Sequence, residues 1–211
     1  MAEASTGRRQ VALVLASSTG GIGRHVAALA AGMVAAGDEV HIYGPAATEG
    51  QFGFTRVGAA FAPVEIPRNP SPADATAVRL LRRALRAAPP DVVHAHGLRA
   101  GLVAALARPL GCPLVVTWHN QLLAAGVRAR LLAPLERYVA RAADVTLGAS
   151  ADLVARAARL GAADARLGAV AAPALPPPAG GTGVRCRWSS SPAAGRPTCG
   201  WPPRSPGSGR R

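Results

Sequence analysis

Two periodicities alternate along the chain from residue 11 onward. Short apolar runs with β-branched residues occur at 11–16, 39–43, 62–66, 91–95, 114–118 and 145–147, and each predicts a strand. Between several of them, apolar positions recur at helical spacing over 23–36, 74–88, 98–108, 128–142 and 152–160. Gly37 and Gly161 follow two of these stretches as helix stops, and Ser150 is placed to cap the helix that starts at Ala151. Strands that alternate with helices imply an α/β domain of Rossmann-like type, with a doubly wound, mainly parallel sheet and helices on both faces. Such a sheet binds its ligand in the crevice beyond the carboxyl ends of the strands, so each candidate residue is tested against that position.

The alternation stops near Pro173, and the domain is expected to span residues 8–178. Residues 179–211 hold 7 Gly, 5 Pro, 5 Ser and 6 Arg but no Leu, Ile, Phe or Met. A segment this poor in apolar side chains cannot offset the entropy of ordering, so it is expected to be disordered. It reads as a non-native terminus, from a shifted reading frame or a truncation, in preference to a basic tail for RNA or acidic lipid. It also changes the meaning of the net charge of +13, since up to Pro178 there are 18 arginines against 11 acidic residues. Nucleic acid is therefore not expected as a partner. Three cysteines (Cys112, Cys186 and Cys199) lack zinc-site spacing and read as free thiols. With neither a signal peptide nor a membrane-spanning run, the expected location is the cytoplasm.

Four stretches carry candidate chemistry. In STGGIGRHV, Gly20, Gly21 and Gly23 join the first strand to the first helix, where bare backbone N–H groups and the helix dipole suit an anion. A tight turn without a ligand would look the same. The chain has no lysine, which excludes a P-loop, and GGxG is not the dinucleotide fingerprint GxGxxG. In DVVHAHG, His94 and His96 share one face of a strand, with His96 nearer its carboxyl end. His119, in VVTWHN, stands at the end of the next strand. His94 reads as a buried structural histidine, and His96 and His119 read as polar ligand contacts. The three imidazoles also admit a metal, although no carboxylate or cysteine accompanies them. Finally, Arg79, Arg82, Arg83 and Arg86 form one stripe of a helix opposite Val78, Leu81 and Leu85. The stripe is either a solvated face or a surface that docks on anionic lipid.

Taken in order, GGIGRHVAALAAGMVAAGDEVHIYG, PPDVVHAHGLRAG, PLVVTWHN, ERYVARAADVTLGASADLVARAARLG and the APALPPP linker resemble the N-terminal half of GT-B glycosyltransferases of family 4. The resemblance covers residues 11–178. It implies one Rossmann-like half of a two-domain enzyme that moves a sugar from a nucleotide-diphosphate donor to an acceptor, with retention at the anomeric carbon. By position, Gly20 and Gly21 approach the donor diphosphate, and His96 takes the catalytic place beside the transferred sugar. Arg24, His25 and His119 fall on the acceptor side. No DxD triplet occurs, and GT-B enzymes neutralise the leaving diphosphate with protein groups, so no metal or other cofactor is expected. Those groups belong to the other half of the family's fold. The expectation is an acceptor-binding half, inactive without a donor domain, that meets a nucleotide sugar and a small-molecule or lipid acceptor. Peripheral contact with an anionic membrane through the arginine stripe would suit a lipid acceptor. The alternative is a non-catalytic binding module or pseudoenzyme subunit that pairs with a separate donor-domain protein.

Overall fold

The computed structural model describes residues 7–18, 20–67, 71–119 and 126–168, with only the helical backbone described for 126–132. Seven strands form one sheet: β1 (Gln10–Leu15), β2 (Glu39–Gly44), β3 (Ala60–Pro63), β4 (Val92–His96), β5 (Leu114–Trp118), β6 (Val145–Gly148) and β7 (Ala165–Leu167). Every pairing is parallel and the spatial order is β3-β2-β1-β4-β5-β6-β7. After β1 the chain winds toward β2, and after β4 it winds the other way toward β5. The switch point therefore lies between the carboxyl ends of β1 and β4, where such sheets bind ligands.

The helices are α1 (Gly21–Ala35), α2 (Ala46–Phe52), α3 (Ala73–Ala87), α4 (Leu98–Ala107), α5 (Gly126–Ala142) and α6 (Ala151–Arg159). Alternation along the strands divides the core in two. Ala12 and Val14 of β1, Val93 and Ala95 of β4, and Leu114, Val116 and Trp118 of β5 pack with α3, α4, α5 and α6. Val11, Leu13 and Leu15 turn to the opposite face, where they meet Val26 and Ala30 of α1, Val40 and Ile42 of β2, and Phe54. In α3, Ala77, Leu81 and Leu85 are buried, the i, i+4, i+8 spacing of a core-facing surface.

The strands start on aspartates that join neighbours. The Gln10 N–H donates to Asp91 Oδ2 at 2.7 Å, just before β4, and the Leu114 N–H donates to Asp144 Oδ2 at 2.7 Å, just before β6. Arg108 also donates to Asp144. That guanidinium, with the Leu114 N–H as the larger cause, holds the Asp144 carboxyl below its usual range.

The structure differs from the sequence expectation in four places. β3 lies at Ala60–Pro63 instead of 62–66. Pro63 closes the ladder, yet Val64 and Ile66 beyond it stay buried, so their apolar run marks burial without strand pairing. α2 and a 3-10 turn (Phe54–Val57) fill a stretch that carries no helical pattern. Gly50, a poor helix former, lies inside α2, which is only seven residues long. β7 is three residues long, below what periodicity detects. Ser150 does occupy the N-cap of α6, but its side chain makes no capping hydrogen bond. Gly37 and Gly161 end their helices with φ of 92° each, as expected of helix stops. The expected tail, 179–211, lies outside the described residues.

Candidate functional site

The turn after β1 leads into α1 through Gly20, the N-cap, with Gly21 as the first helical residue. Neither has a positive φ, so backbone strain does not call for glycine here. Neither does packing: a Cβ added at either position would meet nothing within 4 Å, while one at Gly23 would lie 2.1 Å from the Phe52 ring. Gly23 therefore serves the packing of α1 on α2, and Gly20 and Gly21 leave an open approach to the helix end. Among the described residues no side chain caps that end, and its first turn holds no acidic residue, so its N–H groups remain available to an anion. Arg24 follows, exposed.

Four imidazoles gather beside this turn. His94 and His96 share one face of β4, with ring centroids 4.2 Å apart. His94 is buried and shares a 2.7 Å hydrogen bond between its Nε2 and Thr117 Oγ1 of β5, which is the structural role expected of it. His96 ends β4 and is 2% exposed. Gly97 then turns the chain with φ of 88°, a conformation that favours glycine, and its N–H is bound to the Thr117 carbonyl. The turn holds His96 at the rim of the sheet. His119 follows β5, with its Nε2 at 3.3 Å from His96 Nδ1. His25, one helical residue after Arg24, completes the group, its ring 5.5 Å from that of His96 and 5.3 Å from that of His119.

Burial dominates the electrostatics of these rings. It pushes His94 down to about 4, with His25 and His119 adding repulsion. His119 falls to about 4, through burial first and His25 second. His96 falls well below the ordinary histidine range through burial and then its neighbours His94, His119 and His25. Burial lowers His25 as well. At neutral pH the group is therefore uncharged. It offers hydrogen-bond donors and acceptors, and nitrogen lone pairs, but no positive charge. His25, His96 and His119 are the described residues placed to hold a metal ion, since one nitrogen from each lies within 4.8 Å of the others.

Sequence reasoning placed Gly20, Gly21, Arg24, His25, His96 and His119 on separate motifs, and the structure brings them to one end of the sheet. It missed three features. The first is the meeting of His25 with His96 and His119, which depends on how α1 lies against the sheet. The second is Gly97. The third is Glu136 of α5, buried at 4% exposure, where both its carboxylate oxygens accept from Arg156 of α6. The arginine stripe is less uniform than its spacing suggests. Arg79, Arg83 and Arg86 are exposed, but Arg82 is half-buried and donates to the Leu106 carbonyl, tying α3 to α4. A surface concavity of about 560 Å³ lies at the strands' opposite end around Gly37, Glu39, His41 and Ala60. Its distance from the switch point separates it from this site.

This topology, wound in both directions from β1 and β4, is the Rossmann-like half of a GT-B fold. The model of the glycosyl transferase 4-like domain matches residues 20–173, and the chain belongs to that family. Among solved structures it is similar to MurG from Acinetobacter baumannii, at 18% identity and a TM-score of 0.54 over 78% of this chain and 46% of that one. It is also similar to a UDP-N-acetylglucosamine 2-epimerase, at 12% identity and a TM-score of 0.56 over 76% and 47%. An epimerase of the same name from Rickettsia bellii matches at 11% identity and a TM-score of 0.54 over 74% and 42%. The chain thus spans less than half the length of each of these proteins. No curated protein matches it in sequence. Among the described residues, no helix is long and apolar enough to cross a membrane.

Proposed function

We propose that this domain is the acceptor-side half of a sugar-nucleotide-dependent glycosyltransferase. One observation carries the reading: an open Gly20–Gly21 helix end and the imidazoles of His25, His96 and His119 converge at the switch point of the sheet. In this reading the donor diphosphate meets the N–H groups at the start of α1. His96, neutral and fixed at the rim, accepts a hydrogen bond from a hydroxyl of the transferred sugar. Arg24, His25 and His119 orient the acceptor. Family membership supports transfer over epimerisation, which the fold alone does not separate.

The same chemistry argues that the domain does not work alone. Stabilising charge on a leaving group is typically worth several kcal/mol in such catalysis, and the four imidazoles are uncharged. We infer that a second, donor-binding domain, in this protein or another, supplies cations to the diphosphate without a bound divalent ion, and that the sugar is transferred with retention. The test is a transfer assay with a panel of nucleotide-diphosphate sugars and polyol or lipid-phosphate acceptors. The chain alone should give no turnover, and the chain joined to a donor domain of the family should give turnover that Gly21→Val abolishes. Ordinary rates without a donor domain, or rates unchanged by Gly21→Val, would overturn the reading. A lipid acceptor also fits Arg79, Arg83 and Arg86 around Leu80, which is 49% exposed. Anionic vesicles should then sediment the protein, and Arg83→Glu with Arg86→Glu should release it.

A further inference from the structure

The three-imidazole arrangement supports more than hydrogen bonding. The ring centroids of His25, His96 and His119 form a nearly equilateral triangle, with sides of 5.3, 5.5 and 5.5 Å. Three imidazoles around a tetrahedral zinc, with Zn–N near 2.0–2.1 Å, place their centroids about 5.2 Å apart and their donor nitrogens about 3.3 Å apart. The His96 Nδ1 to His119 Nε2 separation is 3.3 Å, already a ligand edge of that size. It is long for a hydrogen bond between neutral rings. The other nitrogen of His96, Nε2, is buried with no hydrogen-bond partner among the described residues, so the ring's polar contact runs through Nδ1, toward His119. His25, half-buried in the second turn of α1, brings a nitrogen within 4.8 Å of those of His96 and His119.

We propose that His25, His96 and His119 form a binding site for a divalent d-block cation of the zinc type. The site goes beyond the transferase reading, because ion binding needs neither a sugar nor a second domain. It is also a different kind of site from the oxygen-ligated divalent ion that the missing DxD triplet argued against. Nitrogen donors select zinc, copper or nickel, whereas magnesium and manganese require carboxylate or water oxygens. Three protein ligands leave a fourth position for water or a ligand oxygen, the pattern of open zinc sites.

Calorimetric titration of the chelator-treated full chain with Zn²⁺ tests the site directly. One ion should bind per chain, and Co²⁺ should give the ligand-field absorption of a tetrahedral nitrogen site. His25→Ala and His119→Gln should each weaken binding by more than about tenfold, the lower end of what even an outer-sphere change costs. His41→Ala, at a histidine paired with Glu39 on β2, should change nothing. Circular dichroism checks that the variants fold, and the half-buried His119 keeps the test available if substitution of His96 unfolds the domain. Because thiols also bind zinc, the titration is repeated after alkylation of Cys112, Cys186 and Cys199. Absence of saturable binding, binding that survives the combined His25→Ala and His119→Gln change, or binding lost on alkylation would each overturn the proposal. None of these outcomes bears on turnover with a donor domain, so the two readings fail separately.

Discussion

The two faces of the sheet solve different problems. The α3–α6 face is a continuous apolar layer running from Ala12 and Val14 through Val93, Ala95 and Leu114 to Val116. On the other face, α1 and Phe54 cover β1 and β2 with a smaller cluster, and the same face of β4 and β5 carries His94, His96 and Thr117 toward its carboxyl end. One face is built to exclude water and the other to hold polar groups where a ligand arrives. A single strand shows the contrast: in β4, Val93 and Ala95 belong to the apolar layer, while His94 and His96 occupy the alternate positions. Stability should therefore depend mainly on the first face, and ligand binding on the second.

Several measurements would break or sharpen this contrast. The largest effect is expected from Leu81→Ala, which leaves a cavity under α3 and should cost about 2–5 kcal/mol in denaturant unfolding. Acid should produce the next. His94 is uncharged and buried in the fold, with its pKa at about 4, while the unfolded chain protonates near the ordinary histidine value of roughly 6.5. The unfolded state then binds more protons between those values. Stability is complete above the upper value, falls as pH drops through the window, and levels off below the lower one. The loss from His94 is at most roughly 3.4 kcal/mol, readable as a falling Tm in chelator-containing buffers. Glu136→Ala should come third, at roughly 1–3 kcal/mol, because it strands Arg156, whose side chain is 34% exposed. His119→Gln should come last, costing less than roughly 1 kcal/mol of stability, although it should impair binding at the crevice. A stability loss from His119→Gln as large as that from Leu81→Ala would erase the distinction between the faces.

How far the sequence showed this depends on the distance over which each signal acts. β5 was legible to the residue because Leu114–Trp118 is a dense apolar run between polar ends. α1, α3 and α4 were legible because their apolar positions recur at helical spacing. The places of His96 and His119 followed from their being the last residues of, or just after, such runs. The closeness of His25 to them did not follow, because it depends on the angle at which α1 crosses the sheet and on Gly23 admitting Phe52, a contact between residues far apart in sequence. Burial of Glu136 was hidden for a similar reason. A helix pattern shows which side is apolar, but not that Arg156 on another helix makes a carboxylate tolerable inside. α2 and β7 were too short for any period to register.

The aspartates that precede β4 and β6 have a consequence for how the domain yields. Each anchors the first amide of an adjacent strand, so the amino-terminal margin is cross-linked by charged hydrogen bonds. The opposite margin is bridged by backbone bonds, such as Gly97 N–H to the Thr117 carbonyl and Ala149 N–H to the Trp118 carbonyl. Because those anchors are carboxylates, replacing either aspartate would free an amide at the base of the sheet while the backbone bonds at the crevice end remain.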